Sequence, residues 1–166
     1  MGGIYSTDIT TNPVYGNLYD PNTLGAGGNN NAGGGIVRLD IDETLTVDGT
    51  ISAEGNQPNG GNGNGAGGSI SIRANIITGQ GQISAEGGSI NSSSYCGGSG
   101  GRVALLDYSL LAGAFDPSGI SDGSFGLTAS GGVGGNWTRN GAAGTVFLKG
   151  SSDTWGTLIL DNQDRN

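Results

Sequence analysis

The feature that most constrains this chain is that it repeats itself. Gly34-Gly35-Ile36-Val37-Arg38-Leu39 is echoed by Gly67-Gly68-Ser69-Ile70-Ser71-Ile72, and Ile51-Ser52-Ala53-Glu54-Gly55 returns letter for letter as Ile83-Ser84-Ala85-Glu86-Gly87. Gly35 to Gly68 spans 33 positions, Gly68 to Gly101 again 33, and Gly101 to Gly144 spans 43. Repeats of this length are units that bury their apolar faces only against their neighbours. They divide the chain into 34–66, 67–99, 100–143 and 144–166, after an N-terminal cap and first Gly-rich loop over 1–33. The cap is expected in residues 4–24, where Ile4, Tyr5, Val14, Tyr15, Leu18 and Tyr19 gather with Pro13 and Pro21.

Within each repeat the apolar residues alternate. Val37, Leu39 and Ile41 are interleaved with Arg38, Asp40 and Asp42, and Ile70 and Ile72 with Ser71 and Arg73. A period of two places one set inward and the other in solvent, as in a half-buried strand. Asp48-Gly49 and Gly79-Gln80-Gly81 mark turns, after which Ile51 with Ala53 and Ile83 with Ala85 form a second inward pair. No segment carries apolar residues at helical spacing for three turns, so helix content is expected to be near zero. The ten extra residues of the third repeat are expected around Ala114–Ser118 and the Trp137 loop.

Between strands lie tracts of glycine and asparagine, such as Gly60–Gly68. Thirty-seven glycines but only four prolines, without a strict Gly-X-Y period, exclude collagen. Short strands, a glycine tract and a 33-residue lag together predict an all-β, right-handed parallel β-helix (β-solenoid) of about three to four coils with stacked Gly-rich loops. Two arrangements of the tracts stay open. Residues without side chains can pack as polyglycine II segments, or the tracts can be flexible surface loops.

Tyr15-Gly16-Asn17-Leu18, Leu24–Gly28, Gly33–Leu39 and Leu45–Ala53, with Ala142–Lys149 as a closing element, resemble the glycine-rich β-solenoid repeat regions of large secreted or cell-surface proteins, mostly bacterial. The resemblance runs from about Tyr15 to Asn162 and implies extracellular display. It carries no catalytic or binding residues. The bare start and the polar end, Asp161–Asn166, fit a segment of something larger.

Charge narrows the function classes. The net charge is −8, with 14 acidic residues, six basic ones and no histidine. A nucleic-acid backbone needs a cationic stripe, and none is present. No apolar run approaches the roughly 20 residues that span a bilayer, so membrane insertion is not expected. The lone Cys96 has no internal disulfide partner and reads as an inert free thiol.

The candidate sites are few. Asp40, Asp42 and Asp48, with Glu43, form the densest acidic patch, and carboxylates alternating along a strand could supply calcium with oxygen ligands. The Gly-Gly-x-Gly-x-Asp pattern of calcium-binding β-rolls is missing, and the second repeat has Arg73, Asn75 and Thr78 there, which favours a solvated face. Glu54 and Glu86 hold equivalent places and are expected to stack at about 4.8 Å, needing a relieving partner. Trp137 and Tyr95, in corner loops, could stack against sugar rings, with Trp155 as a third aromatic. Asp116, Asp122, Arg102, Arg139 and Lys149 are the scattered charges a polysaccharide-cleaving groove would draw on. Without histidine, nucleophile–base pairs and zinc sites have almost no material.

The expectation is a non-catalytic structural or adhesive module of an extracellular, surface-attached or fibre-forming protein. Its partners would be other copies of itself, or adjoining repeats of a larger protein, joined end to end at open strand edges. Cell-surface glycan is the other candidate ligand. The alternatives are a carbohydrate-binding or polysaccharide-degrading module and a viral receptor-binding tip.

Overall fold

A computed structural model describes residues 16–28, 30–57, 63–90, 95–120, 124–135 and 139–164. Among these residues nine strands form two sheets. β1 (Ile36–Thr46), β3 (Ser69–Thr78), β5 (Arg102–Tyr108), β8 (Thr145–Gly150) and β9 (Thr157–Ile159) follow one another in the larger sheet, and β6 (Leu110–Leu111) pairs with β3 off this path. β2 (Thr50–Ser52), β4 (Gln82–Ser84) and β7 (Leu127–Thr128) make a smaller parallel sheet.

This corrects the expected β-helix. The larger sheet is mixed, because β9 runs antiparallel to β8, pairing Val146 with Ile159 and Leu148 with Thr157. The chain between them, residues 151–156, is a tight turn, whereas a parallel return needs a crossover of about a dozen residues. Nor does the third segment of each repeat form a sheet. The glycine tracts offer few side chains, and none of their described residues is in a strand. What remains is a six-stranded mixed sheet and a three-stranded parallel one, with two short 3-10 turns, Gly113–Phe115 and Pro117–Ile120.

The repeat lag is the strand register. Ile36 pairs with Ser69, Ser69 with Arg102, and Arg102 with Thr145. The register slips once between Ile41 and Thr44, where Asp42 and Glu43 form a bulge that aims two carboxylates outward. A second slip falls at Asp107, whose φ of 59° places it in the left-handed region. The offset grows from 34 at Ile77↔Leu111 to 44 at Ile83↔Leu127, so the ten extra residues lie wholly between Leu111 and Leu127. That insertion carries the 3-10 turns and drives Phe115 fully into the core.

The core lies between the sheets. Ile70, Ile72, Ile77, Ile83, Val103, Leu105 and Leu148 are almost completely buried and belong to one cluster. Burying each such side chain contributes about 1.5–3 kcal/mol. Ala104, Leu106 and Phe147 point out of the other face, where Leu18 packs on them and Tyr19 meets the Phe147 ring edge-on at 4.9 Å. Thr23 C=O accepts from Ser69 Oγ at 2.7 Å, so the described residues 16–24 of the expected cap lie along the outer face of the larger sheet. Residues 4–15 lie outside the described residues.

The glycine tracts pack on one another. Gly34 N–H donates to Ala66 O, Gly67 N–H to Ser99 O, and Gly100 N–H to Ala142 O, each at 2.8–2.9 Å. A Cβ on Gly98 would fall 2.6 Å from the carbonyl carbon of Gly65, and one on Gly132 would fall 2.5 Å from that of Gly88. Backbone meets backbone here, and glycine is required by closeness of approach. Asparagines pin the tracts: Asn31 Nδ2 donates to Gly63 O and Asn64 Nδ2 to Cys96 O.

Candidate functional site

The two sheets end unevenly, and the site follows from that. β7 stands level with β5, both from the third repeat, yet the larger sheet continues through β8 and β9 while the smaller one stops. A cavity of about 340 Å³ opens where the next small-sheet strand would lie. Leu127, Thr128 and Ala129 form its floor edge, Val146 and Ile159 one wall, and Phe125, Asp161 and Gln163 reach its rim.

The backbone of β7 carries the chemistry of this groove. Ile83 N–H donates to Gly126 O and Ala85 N–H to Thr128 O, so the smaller sheet's ladder uses those carbonyls. In a parallel ladder successive residues face opposite neighbours. The amide and carbonyl of Leu127 and the amide of Ala129 therefore face away from β4, toward the groove. Further along, Gly131 N–H donates to Asn162 Oδ1 at 2.8 Å, and Asn162 Nδ2 donates to Gly141 O, so one side-chain amide replaces the missing neighbour there.

Beside the groove sits Glu86. Its Oε1 accepts from Thr128 Oγ1 at 2.7 Å, Ser130 Oγ at 2.8 Å and Gln163 Nε2 at 3.3 Å. One repeat earlier Glu54 Oε1 accepts from Ser84 Oγ at 2.5 Å. Glu54 is thus held by one hydroxyl of the following repeat and Glu86 by two, which offsets the repulsion of two like charges in successive repeats. The recurrence marks the contact as a structural bond. A Ser–Glu pair serving as nucleophile and base would not need a second copy.

The other candidates stand apart. Asp40 is flanked by Arg38 at 3.4 Å and Arg73 at 3.7 Å, Asp48 Oδ1 accepts from Gln80 N–H at 3.0 Å, and Asp42 lies exposed in the bulge. Among the described residues no three acidic, cysteine or histidine side chains gather to hold a metal ion. Trp137 and Asp122 lie outside the described residues. Tyr95 is half-buried in the tract leading into β5, where its carbonyl accepts from Gly135 N–H. Trp155 is 83% exposed in the β8–β9 turn, beyond the other end of the strands. Backbone and side-chain hydrogen bonds from Ser118 hold the Asp116 carboxyl below the usual carboxylate range. Burial, then the Asp153 carboxylate, pushes the Tyr108 phenol up.

Residue-type reasoning missed the groove because its main donors and acceptors are backbone atoms. The available signal was the echo Gly126–Gly131, which has no counterpart in the fourth repeat. Compared with protein-family models, curated proteins and solved structures, the chain finds no match. No helix among the described residues is long and apolar enough to cross a membrane.

Proposed function

We propose that this chain is a non-catalytic structural or adhesive module of an extracellular surface or fibre-forming protein. One observation carries the reading: five polar side chains that could do chemistry are engaged in bonds from one repeat to the next. Glu54, Glu86, Asn31, Asn64 and Asp48 each serve a neighbouring repeat. Such bonding stiffens a body built to be held or to hold others. Among the described residues the N-terminal side presents β1 and β2 as edge strands, and Val37, Leu39, Ile41, Leu45 and Ile51 are only half-buried there, a surface suited to joining another polypeptide.

Negative-stain electron microscopy of the purified chain, with and without calcium, tests this. Regular assemblies, or discrete particles that bind glycans or cell surfaces, support the role. Turnover of a polysaccharide would overturn it.

A further inference from the structure

We infer that the edge of β7 from Leu127 to Ala129 is an acceptor site for one extended peptide strand of the repeat's own chemistry: an aliphatic residue, then a small hydroxyl residue and alanine. The inference goes beyond a structural role and stands on the ladder alone.

Three repeats show what the smaller sheet accepts. Thr50-Ile51-Ser52, Gln82-Ile83-Ser84 and Gly126-Leu127-Thr128 lie side by side in parallel register, Ile51 on Ile83 and Ile83 on Leu127. Each continues into alanine, and beyond Ala129 the Asn162 side chain already holds Gly131 N–H, so the occupant's bonded stretch ends there. The same register continued once more defines the next occupant. Its aliphatic residue would sit opposite Leu127 and point into the cavity between Val146 and Ile159, which the larger sheet has already walled. Leu127 N–H would donate to the carbonyl before that residue. The amide after it would donate to Leu127 O, and Ala129 N–H would donate to the carbonyl of that same residue. Strand addition of this kind draws affinity from main-chain bonds and selectivity from alternate side-chain pockets.

The occupant is a lone strand rather than a second folded copy. In this chain β2 is accompanied by β1, and a second copy bringing its β2 edge to β7 would drive its β1 into the place that β8 and β9 already hold. The step at this end therefore admits a segment and excludes a module.

The test titrates the whole chain with a labelled Gly-Gln-Ile-Ser-Ala peptide, the sequence of residues 81–85. Saturable one-to-one binding is expected, with amide shifts concentrated at Leu127 and Ala129. N-methylating the peptide's serine removes the bond to Leu127 O and should weaken binding at least tenfold. N-methylating its isoleucine, whose N–H faces away, should change it less than threefold. Ala129→Pro, which removes a groove-facing donor and keeps the ladder to β4, should also weaken binding at least tenfold. The two methylated peptides leave the protein unaltered, so they decide the matter even if that variant misfolds. Absence of saturable binding, equal effects of the two methylations, or shifts away from β7 would each overturn the inference.

Discussion

The larger sheet and the glycine tracts are two sides of one molecule, built by opposite means. On the sheet side, side chains fill the space: Ile70, Ile72, Val103 and Leu105 stand in neighbouring rows and leave almost no exposed surface. On the tract side, space is filled by removing side chains. Gly65, Gly98 and Gly141 sit so close that each backbone occupies the volume where the next residue's Cβ would be. The first side follows the hydrophobic effect and tolerates exchange among apolar residues of similar volume. The second depends on backbone approach, where even one methyl has nowhere to go.

The sharpest way to break that contrast is to add a methyl to the tract. Gly98→Ala should cost about 3 kcal/mol or more, since the obstacle is backbone and cannot rotate away. Gly35→Ala, at a position with nothing within 4 Å of the added Cβ, should stay within about 0.5 kcal/mol. Urea denaturation of both variants measures the difference, and equal costs would mean the tracts are not packed.

Next in size is the carboxylate ladder between the two sides. Glu86→Ala removes the acceptor of Thr128 and of the fully buried Ser130, and should cost about 1–3 kcal/mol. Glu54→Ala deprives a single hydroxyl, Ser84, and should cost less. The same denaturation curves rank the pair.

Smaller again is removal of a methyl from the sheet side. Ile72→Val should cost about 0.5–1.5 kcal/mol, less than adding one at Gly98. The reverse ranking would move the weight of stability to the aliphatic core.

The smallest effect is electrostatic. Tyr108 is a neutral acid whose folded pKa lies above its ordinary 10.0. Its contribution is fully present below pH 10 and is lost as pH rises through the folded value. Tyr108→Phe should therefore flatten the stability decline above pH 10, read from melting temperatures across an alkaline series.

How much of this could be read from the residues differs between the two sides. The lags of 33, 33 and 43 between Gly35, Gly68, Gly101 and Gly144 are the registers later found at Ile36, Ser69, Arg102 and Thr145. Side chains carry that information, because alternation specifies a face and repetition specifies a neighbour. The tracts carry no alternation, so Gly97-Gly98 reads the same whether packed or loose. The antiparallel β9 depended on a turn at residues 151–156 that follows no repeat. The groove arises from a missing strand, and a sequence records a missing strand only as an echo that stops.

The most direct test of the packed tracts is native-state hydrogen exchange. Gly98 N–H donates to Gly88 O, Gly101 N–H to Ala85 O and Gly132 N–H to Gly98 O, at 2.7–3.0 Å. Their amides should be protected to the same degree as that of Ile72 in the centre of β3, opening only with the whole fold. Exchange at the rate of an unfolded chain while Ile72 stays protected would contradict the account: the tracts would be loose, and the sheets would stand without them.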